Sequence, residues 1–152
     1  MKITTSLKMD LSALNKFKSE VNRTKIEVGW LTGVEHWRSS PLNPITVAGL
    51  AAHLHYYSDW RGQFMFDSSK KNQVQDIIDS NLSHSLSLDF KSTAKMVGYE
   101  LAESLRINII EVKSPANSPK WAEIKGFNDP LIFGSRVGAS PNLLSEVGYQ
   151  VI

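Results

Sequence analysis

At 152 residues the chain is the size of one domain and can bury a sizeable core. Apolar residues make up 41% and charged residues 21%, which argues against global disorder, and a net charge of +2 argues against gripping nucleic acid mainly by charge. The absence of cysteine excludes disulfides, thiolate zinc sites and cysteine catalysis together.

The opening residues Met1 to Asp10 show no apolar signal-peptide core, and no run approaches the ~18 apolar residues of a membrane helix. A soluble single domain over 1–152 is therefore expected. Leu11, Leu14, Phe17 and Val21 recur at three- and four-residue steps, which predicts an amphipathic helix from about Asp10 to Asn22. Lys25 to Leu31 alternates polar and apolar residues and predicts a strand with Ile26, Val28 and Trp30 pointing inward. Residues 32–44 contain Gly33, Pro41 and Pro44 and read as an exposed loop carrying Trp37 and Arg38.

Ile45 to Tyr57 is apolar on most sides, and Ala48, Ala51 and Ala52 favour helix. Such a helix is expected to be buried, against the sheet or against a second subunit. Residues 58–69 read as a second exposed loop, carrying Arg61 and rich in aromatics: Trp60, Phe64 and Phe66. A short helix fits Asn72 to Leu82. Phe90, Ala94, Val97, Leu101, Leu105 and Ile109 then mark the major helix, from about Ser87 to Lys113. From Asn117 onward, prolines and glycines exclude a long helix, and Val147 to Val151 reads as a closing strand. Strands near both ends must pair non-locally. The fold class is α+β, a small, mostly antiparallel sheet packed on a long helix and shorter helices.

Few residues suggest chemistry. His53 and His55 are two apart, so on a helix their rings face opposite sides and cannot share a metal. Asp59, Asp67, Asp76 and Asp79 follow no acid–base motif and read as solvated charges. No phosphate-binding glycine pattern is present. Trp37–Arg38 and Trp60–Arg61 carry two readings. Tryptophan and arginine are enriched at interaction hot spots, yet both tryptophans could simply close over the core.

Taken in order, these elements resemble the tail-completion (head-to-tail joining, or neck) proteins of tailed bacteriophages. The resemblance runs from Lys25 onward through Val28-Gly29-Trp30, the alanine-containing segment Val47 to Tyr57, and Arg61-Gly-Gln-Phe64 before a long helix. It ends on Pro119, Lys125, Pro130-Leu131-Ile132, Gly134 and Leu143 to Val151. The sequence departs from the family pattern where a proline is missing after Arg61, in an extra stretch from Ser135 to Asn142, and in what looks like an addition over Gln73 to Asp89.

The resemblance implies a structural virion protein made in the host cytoplasm, with no cofactor, metal or enzymatic activity. Copies would form a ring, six-fold or twelve-fold, between the portal-side connector and the tail, with DNA as passing cargo and no membrane contact. The residues expected at partner or subunit contacts are Trp37, Arg38, Trp60, Arg61, Phe64, Phe66, Arg136 and Tyr149. Two alternatives stand beside it: a small nucleic-acid-binding regulator that uses the basic N-terminal helix, and a metal-dependent hydrolase built on the histidines.

Overall fold

A computed structural model describes residues 12–36, 39–84, 89–126, 128–131 and 141–152. The elements run α1 (Ser12–Arg23), β1 (Ile26–Gly29), α2 (Val47–Tyr57), a 3-10 turn (Ser68–Lys70), α3 (Lys71–His84), α4 (Phe90–Glu111), α5 (Pro119–Lys125) and β2 (Gly148–Val151). Helices and a two-stranded antiparallel sheet make the α+β architecture expected from the pattern.

Helix α4 is the organising element. Asp89 caps its start, accepting hydrogen bonds from the Ser92 backbone N–H at 2.8 Å and from the Ser92 hydroxyl at 2.9 Å. Ala94, Val97, Leu101, Ala102, Leu105 and Ile109 are buried along one face, as their helical spacing requires. The sheet packs against this helix, and α3 packs against it as well.

The sheet joins distant parts of the chain. Ile26 pairs with Val151, Val28 with Tyr149 and Gly29 with Gly148. The ladder continues one step beyond the strands, where Lys25 and Ile152 exchange two backbone bonds of 2.8 Å. Gly29 ends β1 at φ 139°, a conformation that disfavours any side chain. Tyr149 lies over Gly98 of α4 so closely that a Cβ there would meet the ring at 2.3 Å. Glycine at that position lets the sheet reach the helix.

The core lies among α4, α2 and the segments after them: Val47, Ala51, Leu54, Phe64, Leu105, Ile109, Val112, Leu131, Leu143 and Val147. Complete burial of a side chain the size of Leu, Ile or Phe contributes about 1.5–3 kcal/mol. Trp30 packs on this core and anchors it with a 2.9 Å bond from its indole N–H to the Leu143 carbonyl.

The fold adds detail to three segments. Helix α2 turns Val47, Ala51, Leu54 and His55 to the core, while Tyr56 and Tyr57 stay exposed, so a single copy covers only part of its apolar surface. The described residues of segment 32–44 are mostly exposed and carry two isolated antiparallel bridges, Glu35 to Thr46 and Ser40 to Asn43. The Pro/Gly-rich end contains α5, capped by Ser118, started by Pro119 and stopped by Gly126 at φ 76°.

Candidate interaction surface

The aromatic segment after α2 folds back on the core. Ser58 closes α2, its hydroxyl donating to the Leu54 carbonyl and accepting from the Trp60 backbone N–H at 3.1 Å. Trp60 is half-buried against the core and donates its indole N–H to the Pro115 carbonyl at 2.8 Å. The end of α4 is thereby tied to this turn. Phe64 is 0% exposed and meets Trp30 and His55 edge-on, with ring centroids 6.3 and 5.6 Å apart.

The expected contact residues consequently separate. Phe64 is a core side chain, and the expectation that it lines a contact loop is corrected: apolar surface on both sides leaves no part of the ring for a partner. Trp60, Phe66 and Tyr149 are half-buried and pack on the core. Arg61 is exposed. Trp37, Arg38 and Arg136 lie outside the described residues.

Other side chains make the exposed apolar surface. Leu42, at the tip of the 40–43 turn, is 98% exposed, and Tyr57, at the end of α2, is 80% exposed with Tyr56 beside it. On α4, Met96, Tyr99, Ile107 and Ile110 remain 42–56% exposed although the opposite face of the same helix is the core. Singly exposed apolar residues are ordinary; several on one helix form a patch of the kind that marks a contact. Their signal was present in the sequence as a second apolar stripe on α4, off the first.

Chemistry has less to work with. Among the described residues no group of three or more His, Asp or Glu side chains is placed to hold a metal ion. His55 is buried between the Tyr56 and Phe64 rings, while His53 is exposed beside Tyr57, the opposite orientations that their spacing requires. A cleft of about 420 Å³ lies where α1 ends and α4 begins, lined among others by Glu20, Arg23, Asp89, Lys91 and Ile152. It mixes both signs of charge and sets no nucleophile beside a base.

Among the described residues, three carboxylates titrate below their ordinary range. Asp89 is lowered by the backbone and hydroxyl hydrogen bonds of Ser92, Asp67 by the hydroxyl and backbone hydrogen bonds of Ser69, and Glu27 by bonds from Lys25 and Gln150. The first two are helix or 3-10 caps, and the third joins β1 to β2 on the outer face of the sheet. All three are structural devices. No helix among the described residues is long and apolar enough to cross a membrane. No protein-family model, curated protein or solved structure matches the chain.

Proposed function

We propose that this chain is a structural protein of the neck of a tailed-phage virion, assembling as a ring that joins the portal-side connector to the tail. The observation that carries the reading is the exposed apolar surface described above: a central helix buried on one face and apolar on the other, with Leu42, Tyr56 and Tyr57 exposed elsewhere. A protein built to be embedded among neighbours has a use for such surfaces. The order of sequence elements, from Val28-Gly29-Trp30 to the closing Tyr149-Gln150-Val151, supplies the kind of assembly.

Near-neutral charge suits a channel through which DNA moves, because each phosphate neutralised adds affinity and hence drag. The test is negative-stain microscopy with native mass spectrometry of the purified chain, with and without duplex DNA and a chelator. Closed rings of six or twelve copies, indifferent to chelator and to DNA, are expected. A salt-sensitive DNA complex would overturn the reading in favour of a nucleic-acid-binding regulator, and stoichiometric zinc held by His53 or His55 would overturn it in favour of a metalloenzyme.

A further inference from the structure

Helix α4 carries more information on its outer face than exposure alone. At about 100° per residue, Met96, Tyr99, Glu103, Ile107 and Ile110 fall within an arc of about 80° and run about 21 Å along the helix. The four apolar members are each roughly half exposed. Glu103 interrupts the stripe at its middle, where in-register copies would bring it beside its own counterpart; each carboxylate carries its own counter-charge there, Arg106 of the same helix.

Charge is segregated across this stripe. One edge carries Lys95 and Arg106, and the other carries Glu100 and Glu111. Each cation stands five residues before an anion: Lys95 before Glu100, and Arg106 before Glu111. In two parallel helices packed along a common apolar seam, the residue flanking the seam on one helix faces the residue five further on in its partner. An antiparallel pair instead sets like edge against like edge, here basic on basic and acidic on acidic, which costs rather than stabilises.

We infer that the outer face of α4 is a self-association surface, on which a second copy of this chain docks its own α4 in parallel and in register. Met96, Tyr99, Ile107 and Ile110 form the seam, and Lys95 of each copy faces Glu100 of the other. The stripe supplies an apolar area on the order of 400 Å². That is about half of the ~800 Å² per partner that a standard interface buries, the share its apolar part normally takes. Rim residues on both edges supply the remainder. Glu100 is already held in place by the Asn81 amide of α3 at 2.8 Å, so its carboxylate is positioned before the partner arrives. Arg106 is held likewise, by Glu103 and by the Leu144 and Val147 carbonyls.

The inference draws on the same α4 face as the neck reading but differs in its test. A parallel, in-register pair closes on itself about a two-fold, whereas a ring needs contacts that propagate. Paired α4 helices without rings would leave the inference intact, and rings built with this face open to solvent would refute it while sparing the neck reading.

Because the chain has no cysteine, single cysteines report orientation without background. Met96→Cys alone and Ile110→Cys alone should each oxidise to a covalent dimer, since parallel pairing brings like positions within the ~7 Å between Cα atoms that a disulfide spans. In an antiparallel pair neither variant would cross-link alone, and only their mixture would. Sedimentation equilibrium supplies the second measurement. Lys95→Glu and Glu100→Lys should each weaken self-association at least about tenfold, and mixing the two variants should restore it, because each then meets the opposite charge. That recovery also shows that both variants are folded. A wild-type chain that stays monomeric to hundreds of micromolar, cross-linking only between positions 96 and 110, or tighter association of Lys95→Glu would overturn the proposal.

Discussion

Replacing Gly98 with alanine tests how the sheet is seated on α4, because two effects of known size oppose each other there. The added Cβ would lie 2.3 Å from Cδ2 of Tyr149 and 2.9–3.0 Å from two further ring carbons. Relief requires the ring, and with it the β2 backbone, to move away from the helix; overpacking of this kind costs about 1–3 kcal/mol. Alanine in a helix interior is favoured over glycine by about 1 kcal/mol. Gly98→Ala should therefore destabilise by about 0–2 kcal/mol, a loss of up to about 6 °C in melting temperature for a domain of this size. In a Tyr149→Ala background the obstacle is gone and only the helix preference remains. There the same substitution should stabilise by about 1 kcal/mol. Urea unfolding of the four proteins in this cycle gives the coupling directly, and it should be about 1–3 kcal/mol. Equal effects of Gly98→Ala in both backgrounds would refute the contact.

Phe64→Ala should cost about 3–5 kcal/mol, as loss of a fully buried aromatic does, whereas Arg61→Ala should stay within about 0.5 kcal/mol in the same denaturation assay; a Phe64→Ala protein with the wild-type midpoint would place that ring outside the core. The Asp89 carboxylate titrates below its ordinary value in the folded chain, so the stability it contributes is fully present above the unfolded-state pKa and disappears as pH falls through the lowered folded value. Midpoints followed downward from neutral pH should accordingly converge for wild type and Asp89→Asn in acid, and a gap between them that is independent of pH would contradict the role of the carboxylate charge at the start of α4.

Much of the framework was legible because it rests on local periodicity. Six apolar residues at helical spacing announced α4, and alternation around Val28 and Tyr149 announced both strands. Helix α5 went unread because seven residues make barely two turns, too few for a periodic signal, although Ser118-Pro119 and Gly126 already spelled its start and stop. Phe64 was misplaced for a different reason. Nothing beside it in sequence distinguishes it from Phe66; its burial is decided by Trp30 and His55, which come from other elements. The candidate surface was the least legible part. The stripe read from the sequence, through Ala94, Val97, Leu101, Leu105 and Ile109, is the one that meets the core; the second, from Met96 to Ile110, holds Glu103 at its centre and so gives a weaker periodic signal.

The pairing of β1 with β2 has a kinetic consequence. Ile26 and Val151 meet across almost the whole described chain, and so do Trp30 and Leu143. Closing a loop of about 120 residues costs about 4 kcal/mol of chain entropy before the first rung of the ladder returns anything. Helices α3 and α4, whose contacts span far fewer residues, can dock for about 1 kcal/mol less. Folding should thus proceed from the helical pair outward, with the sheet as its last and slowest step. Until that step, the Gly98 side of α4 has no Tyr149 to cover it, and the nascent molecule shows apolar helix on two sides instead of one. The interval before the sheet closes is when this chain is most exposed to capture by its own copies in the wrong arrangement.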